Sequence, residues 1–492
     1  MKRLLIISTT LVSMNVIAAT PVGQPIGSSF TLGSAPNQRA LSTALNNPAA
    51  PYIMVNQDDD DNFRFGIIGP INIGVEVGDV GNVSDTIDEM TDLTDSLEEL
   101  DADDIIIDAD VMTALNTAGF NPTEISTITG AETEEELVDA LNALEDTYSS
   151  TPARLTALEN AVGNLVDGAI QDVVDDVNEI LDGVNEDAYL KAMVTSQVPF
   201  MPMIYRTDNG GAFMMDSSLS TVFKANLLEG VIDITDDYEI DATTSLYTRT
   251  AVDLSLGFGY SHPIVDGSYG MLIGGAKANI HKLYSGRSLA AVFDDDEDNE
   301  IEDSVTDSID DAIVSTNIGV DLGIIWVTNH FQTGLTVTNI NEPEFDVADV
   351  ESTCGSDSCN AASSLSNSGD LNLTEDYTME MQSTIDVAFS TKANQVTIGL
   401  SYDVNAVADT VGDEYQWAAA SLSYYGDSHF LPGIRAGYRK NMAGTELQYV
   451  SAGLTLFKRL SLDVAVSLDT FEHEDEVYPR SVYLSLGYNT AF

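Results

Sequence analysis

The stretch "SVYLSLGYNTAF" (481–492) decides the fold class, because it alternates over most of its length. Its apolar positions are Leu484, Leu486, Tyr488 and Phe492. Thr490 is the one break, and the residues between these positions are small or polar. A period of two predicts a β-strand with one apolar face and one polar face. Such a strand fits a soluble sandwich as well as a membrane barrel, so the rest of the chain must distinguish them.

The same period of two recurs from about residue 211 to the end of the sequence. Candidate strands fall at 211–225, 228–240, 243–261, 267–283, 313–327, 329–340, 378–391, 394–404, 415–426, 431–441, 446–457, 459–470 and 479–492. Many are longer than the roughly 5–6 residues typical of soluble strands, and they suit tilted transmembrane strands of about 9–11 residues. With a further strand at 63–77, the sequence predicts about fourteen strands.

The connections between these strands alternate in length. Short ones lie near 327–329, 391–394, 427–430 and 457–459, and longer ones cover 284–312, 341–377, 405–414 and 470–478. Outer-membrane barrels have short periplasmic turns and long external loops, whereas a sandwich has no reason to sort its loops in this way. Because hydrocarbon offers no partner to an open sheet edge, the strands must close on themselves. The sequence therefore predicts an all-β transmembrane outer-membrane barrel.

The rest of the chain divides by composition. Residues 1–19 read as a signal peptide, and 20–62 form a mixed segment before the first strand at 63–79. Residues 80–195 are acidic with apolar residues at helical spacing, which predicts a helical insert, and 196–492 form the barrel. The insert either packs on itself or offers a coiled-coil site to a partner. No run approaches the roughly 20 apolar residues of a transmembrane helix.

The charge restricts the partners. The chain has 19 basic and 80 acidic residues, a formal net charge of −61. Phosphate backbones are bound through Lys and Arg, so contact with nucleic acid is not expected. Contact with anionic lipid would require bridging divalent cations.

One acidic stretch suggests a metal site. In "FDDDEDNEIEDS" (293–304), Asp294, Asp296 and Asp298 have the 1, 3, 5 spacing of a calcium loop. Asn299 replaces the usual Gly and Val305 stands where the bidentate Glu belongs, so a solvated acidic loop is the alternative.

The two cysteines, Cys354 and Cys359, are expected to form a disulfide after export to an oxidising compartment. The five histidines lie in no recognisable nucleophile setting, so we expect neither catalysis nor a cofactor.

Three stretches carry a resemblance to known families. "LNNPAAPY" (45–52), with Asn47, Pro48 and Ala49, and "FQTGLTVTNINEPEF" (331–345) resemble the long-chain fatty-acid transporter class of outer-membrane barrels. "LPGIRAGYRKNMAGTELQYVSAGLTLF" (431–457) and the acidic insert are similar to the barrel-type conjugal transfer protein TraF family. The resemblance implies fourteen strands, an N-terminal plug closed by the Asn-Pro-Ala element, and no catalytic residues. It also implies that Phe492 ends a signal for barrel-assembly machinery.

The sequence is compatible with three functions. The first is a non-enzymatic, TraF-like outer-membrane component of a conjugative transfer system that binds partner proteins through its insert. The second is a channel for small hydrophobic molecules with an apolar pocket under the plug and a lateral gap near Gly69 and Pro70. The third is a soluble adhesin or lectin.

Overall fold

The computed structural model describes residues 25–55, 62–78, 188–207, 210–228, 232–234, 240–242, 244–291, 308–309, 312–353, 356–391, 394–426, 431–473 and 476–490. The chain divides into two compact units. One comprises residues 1–80, 187–228 and 245–492, and the other comprises 81–186 and 229–244. Among the described residues, no helix is long and apolar enough to span a membrane.

The first unit is built from strands. They are β1 (Phe63–Val77), β2 (Tyr189–Gln197), β3 (Met203–Arg206), β4 (Ala212–Leu228), β7 (Ser245–Gly267), β8 (Gly270–Ala291), β9 (Ile313–Val327), β10 (Phe331–Thr338), β11 (Glu344–Asp346), β12 (Asp376–Thr378), β13 (Gln382–Ser390), β14 (Val396–Asp403), β15 (Val407–Ala408), β16 (Glu414–Tyr415), β17 (Trp417–Tyr424), β18 (Gly433–Asn441), β19 (Gln448–Leu456), β20 (Leu460–Ser467), β21 (Thr470–His473), β22 (Glu476–Pro479) and β23 (Ser481–Asn489). In the second unit, β5 (Ile232–Ile234) pairs with β6 (Ile240–Ala242).

The large sheet closes into a barrel. Fifteen strands follow the order β2, β1, β23, β20, β19, β18, β17, β14, β13, β10, β9, β8, β7, β4 and β3, and the further pairings β2–β4 and β1–β3 close the ring. Since β2 and β3 both lie between β1 and β4, they share one position, which leaves fourteen positions around the barrel. Every pairing is antiparallel, which confirms the predicted fold class.

The predicted strand count is correct, but one predicted barrel strand is wrong and one barrel strand was not predicted. The stretch 228–240 was expected to be a barrel strand, whereas β4 ends at Leu228 and only the short β5 lies in that interval. The strand that was not predicted is β2 together with β3. Because β2 begins at Tyr189, the barrel resumes before the predicted end of the insert at residue 195. Pro199 and Pro202 lie in the break between β2 and β3 and obscure the alternation, since proline cannot donate to a ladder.

The two ends of the barrel differ in their connections. At one end the strands are joined by 207–211, 268–269, 328–330, 391–395, 425–432 and 457–459. At the other end they are joined by 78–188, 229–244, 292–312, 339–381, 404–416, 442–447 and 468–480. We call these the short-turn end and the long-loop end. The loop 442–447 is shorter than the turn 425–432 and is the one exception to the alternation.

Side chains alternate across the barrel wall. In β19, Val450 and Leu454 are exposed on the outer face, while Tyr449 and Thr455 are buried inside. In β23, Leu484 is 54% exposed and Leu486 is 44% exposed, as the sequence predicts for a lipid-facing row. An apolar exterior around a polar interior is the arrangement that suits a bilayer.

The described part of the first unit also contains helical segments. They are α1 (Ser29–Leu32), the 3₁₀ helix η1 (Leu41–Asn46), α2 (Pro51–Met54) and α3 (Asp357–Ser368). The first three belong to residues 25–55, which are buried almost throughout and run through the lumen. We call residues 25–55 the plug.

Candidate functional site

The plug fills the short-turn end of the lumen. One apolar cluster joins plug residues such as Leu41 and Ile53 to inward-facing wall residues. Among those wall residues, Ile273 and Ile325 lie a few positions from the short turns 268–269 and 328–330. All are at most 8% exposed, so this end of the lumen has the character of a protein core.

Asn47 anchors the centre of the plug to the wall. Its side-chain Nδ2 donates to the carbonyl oxygens of Ile324 and Leu335, at 3.4 Å each. Its Oδ1 accepts the Ala49 N–H at 2.9 Å, which closes a tight turn around Pro48. The Asn47 side chain is thus used fully, in the stretch that the family resemblance singles out.

Two wall glycines make room for this turn. Gly275 and Gly323 are paired across β8 and β9. A Cβ added at Gly323 would lie 2.1 Å from Asn47 Oδ1, and one at Gly275 would lie 2.1 Å from the Pro48 carbonyl oxygen. Only glycine permits so close an approach of the plug to the wall.

Arginines from the wall satisfy the irregular backbone of the plug. Arg64 donates to the carbonyl oxygens of Gln38 and Met54, at 2.6 and 2.9 Å. Arg206 donates to the Tyr52 carbonyl oxygen at 3.0 Å. A buried segment with little regular structure leaves carbonyl groups unpaired, and the several donors of a guanidinium group supply the missing bonds.

Two further contacts hold the start of the plug. Phe30 packs against Tyr483 and Tyr449, with ring centroids 4.7 and 5.6 Å apart. The Asp463 carboxylate on β20 accepts hydrogen bonds from Thr31 Oγ1 at 2.8 Å and from Ser28 Oγ at 3.1 Å. The plug is therefore attached to the wall along most of its length.

The long-loop end is filled by loops. Phe345 in β11 and Tyr377 in β12, from the loop 339–381, are buried in one cluster with Tyr415, from the loop 404–416. The same cluster includes wall residues such as Met193 and Leu283. Described residues thus occupy the lumen from both ends.

A buried ionic cluster fixes the loop 404–416. Lys191 on β2 is fully buried and contacts Asp409, Asp413 and the Tyr415 hydroxyl. Lys224 on β4 pairs with Asp413 at 2.6 Å. Burial raises the pKa of Asp409 despite Lys191, whereas for Asp413 the effect of burial is outweighed by the two lysines, which lower its pKa. We call Lys191, Lys224, Asp409 and Asp413 the loop latch.

A polar cavity of about 210 Å³ lies between the plug and the loops. Its lining includes three successive inward positions of β8, namely Lys277, Asn279 and His281. Asp216, Asp321, Asp403 and Arg439 contribute further charge to the lining. This cavity is the candidate binding site. The lining differs from the apolar pocket expected of a channel for hydrophobic molecules.

Several predicted site residues lie outside the described residues. These are Asp294, Asp296, Asp298, Cys354 and Phe492, together with the signal peptide 1–19 and residues 79–187 of the insert. Cys359 is described and is buried in the first turn of α3. Tyr488 is half-buried on β23. Within the described ranges no group of three or more His, Cys, Asp or Glu side chains is placed to hold a metal ion.

The cavity residues were not predicted, although the sequence carries a signal for them. In "AKANIHKLY" (276–284), Lys277, Asn279 and His281 alternate with apolar residues on a long strand. Polar residues at every second position of a barrel strand face the lumen. The carboxylates that meet them come from distant strands, and nothing in the local sequence identifies those partners.

The chain matches a family model described as "F plasmid transfer operon, TraF, protein" over residues 44–118 and 114–403. It belongs to this family. No curated protein matches the TraF-family chain. The barrel fold and the family together make it an outer-membrane barrel.

Several solved structures are similar to this TraF-family chain at low identity. A FadL homologue from Pseudomonas aeruginosa is 10% identical, with a TM-score of 0.37 over 96% of this chain and 99% of that chain. A mutant of TodX, a monoaromatic hydrocarbon channel, is 10% identical, with a TM-score of 0.33 over 62% and 83%. A mutant of the Rh. blastica porin is 9% identical, with a TM-score of 0.20 over 62% and 92%.

Proposed function

We propose that this chain is a non-enzymatic outer-membrane component of a conjugative transfer system that binds partner proteins. The observation that carries the proposal is the family match over residues 44–403. The filled lumen supports it, because a barrel occupied from both ends by its own plug and loops suits a binding protein better than an open pore. The net charge of −61 favours a protein partner over the transferred DNA.

The insert is the proposed partner-binding segment. Its flanking residues meet at the rim of the barrel, where the Gly78 N–H donates to the Tyr189 carbonyl oxygen at 2.7 Å. The insert therefore leaves and re-enters adjacent strands at the long-loop end, which is the external end in barrels of this layout. Because this junction is closed by a backbone hydrogen bond, the insert can be removed without stretching the wall.

The test is deletion of residues 79–187, with Gly78 joined to Ala188 through a short Gly-Ser linker. A matched control replaces 294–304, an acidic stretch of another long loop, with the same linker. Mating frequency should fall about tenfold or more in the insert deletion, because a tenfold loss corresponds to ~1.4 kcal/mol of partner binding. It should stay unchanged in the control. Both variants must show heat-modifiable gel mobility. Unchanged mating by a correctly assembled insert deletion would refute the proposed role.

A second candidate function is passage of small hydrophobic molecules through the wall. β1 pairs with β2 from Ile71 onward and with β3 up to Phe65, so residues 67–70 face the break between β2 and β3. The ladder between β1 and β23 is also irregular here, shifting between Gly66 and Ile71. This break in the described wall is the observation that favours a lateral path.

Uptake of a labelled long-chain fatty acid tests the second function. Cells that produce the protein should take up the label faster than cells without it. Gly69→Val should abolish this faster uptake, because even a Cβ at position 69 would lie only 2.4 Å from Gln197 Cβ. Equal uptake with and without the protein would exclude this function.

A further inference from the structure

Three successive inward side chains of β8 are each held by a carboxylate from another strand. Lys277 Nζ lies 3.0 Å from Asp216 Oδ2, on β4. Asn279 Nδ2 donates to Asp321 Oδ2 at 2.6 Å, on β9. His281 Nδ1 lies 2.9 Å from Asp253 Oδ2, on β7. The row is therefore fixed in orientation by carboxylates from three other strands.

These anchors leave hydrogen-bond acceptors without a partner. Asn279 Oδ1, His281 Nε2 and Asp253 Oδ1 have no hydrogen-bond partner within the described chain. The three side chains are 6%, 6% and 2% exposed. An ionised carboxylate only accepts, so His281 Nδ1 carries a proton, and in the neutral imidazole Nε2 then presents a lone pair. Buried polar groups are normally satisfied, and Asn279 and His281 both line the cavity, so their acceptors indicate an occupant that donates hydrogen bonds.

The charge around the row is unbalanced. Asp253 and Asp321 form no ion pair with a lysine or arginine in the described part of the chain, whereas Asp216 is neutralised by Lys277. Asp403 is bonded by the Thr384 hydroxyl and the Trp417 N–H. Buried carboxylates without a cationic partner are costly, and a bound cation would offset that cost.

We propose that this cavity binds a small organic cation with N–H donors, a primary ammonium or a guanidinium group. Asn279 Oδ1 and His281 Nε2 accept its hydrogen bonds, and the carboxylates of Asp253 and Asp321 balance its charge. Acceptors spread over an amide, an imidazole and carboxylates match the several N–H groups that such a cation presents.

The His281 ring reports on binding directly. The chain has five histidines, so the full-length protein labelled with ¹⁵N in its histidine rings gives few signals in detergent, and His281→Gln identifies that of His281. Butylammonium chloride should shift this signal saturably. Tetramethylammonium, which has the same charge but no N–H donor, should act at least about tenfold more weakly, as expected for lost hydrogen bonds to a charged group. Asn279→Leu should weaken butylammonium binding to a similar degree.

His262→Gln is the matched control, because His262 is exposed and should leave binding unchanged. Butylammonium is added to the folded protein and, in a second arm, is present while the protein folds into detergent, so that slow entry cannot hide a site. No saturable shift in either arm, or equal shifts with both ammonium ions, would overturn the proposal and indicate a cavity that holds only water. The same saturable shift with sodium chloride would also overturn it in favour of a metal cation.

Discussion

Asn47 reaches the barrel wall only because Gly275 and Gly323 present no side chain at that point. Gly323→Ala would place a methyl group 2.1 Å from Asn47 Oδ1, so either the plug or the strand must move. Such overpacking costs about 1–3 kcal/mol, and we expect the plug, which has little regular structure, to shift before the hydrogen-bonded strand does. We expect trypsin to cut after Arg39, the one basic residue of the plug, faster in this variant than in the native protein.

Gly267→Ala is the control for this experiment, since a Cβ at Gly267 would meet no atom within 4 Å. It should leave cleavage at Arg39 unchanged. Equal cleavage of the Gly323→Ala variant and this control would show that the contact between plug and glycine pair does not hold the plug in place.

The plug motif can be predicted from the sequence, whereas the residues that it contacts cannot. Asn47, Pro48 and Ala49 stand out through a short motif that needs no partner to be noticed. The wall glycines that they contact, Gly275 and Gly323, lie more than 200 residues further along the chain. Their pairing depends on the register between β8 and β9. Register is set by long-range pairing, which a local pattern does not encode.

At the scale of elements, the loop latch joins the loop 404–416 to the wall. Lys191→Met removes the buried ammonium group and leaves Asp409 and Asp413 with one lysine between them. Breaking a buried ion pair from one side costs about 3–5 kcal/mol, because the remaining charge stays in the interior. Amide hydrogen exchange in residues 404–416 should therefore become faster.

Lys440→Met provides the comparison. Lys440 pairs with Glu446 at 3.6 Å, and the two side chains are 30% and 66% exposed. Exposed pairs contribute about 0–1 kcal/mol, so exchange in the loop 404–416 should not change. If both variants exchange at the same rate as the native protein, the latch does not stabilise the loop.

Helix α3 offers a test of the predicted disulfide. Its N-cap, Ser356, accepts the Cys359 N–H at 3.3 Å, which places Cys359 in the first turn. Cys354 lies outside the described residues, so its bond to Cys359 stays a prediction. The denatured protein should gain mass from iodoacetamide only after reduction, by two added groups. Labelling without prior reduction would exclude the bond.

Elements were predicted well where one face meets lipid and poorly elsewhere. The wall strands between β7 and β23 alternate clearly because their outer residues must be apolar. Residues 189–206 were mistaken in part for the insert, since Lys191 interrupts the pattern and two prolines divide the strand. The segment 228–240 alternates without lining the barrel. Alternation alone does not distinguish a strand of the wall from a short hairpin in a loop.

At the scale of the whole molecule, the lumen is occupied by two packed layers. Plug residues from Leu41 onward belong to the cluster at the short-turn end, while Phe30 of the plug belongs with the inward loops to the cluster at the long-loop end. The polar cavity lies between them. The sequence predicted the plug through its resemblance, but not the second layer, because loops that fold inward carry the same polar and small residues as loops that face water.

Because the plug and the inward loops each block the lumen, we expect the native protein to conduct few ions in planar bilayers. If each layer opens independently, ions pass only when both are open, so the open probability is the product of two small numbers. Gly323→Ala loosens the plug and Lys191→Met loosens the loop, and each alone should leave the barrel nearly silent. The double variant should show ion-conducting events well above the native level, while the combined control, Gly267→Ala with Lys440→Met, should not. Strong conductance of either single variant would show that one layer alone closes the lumen.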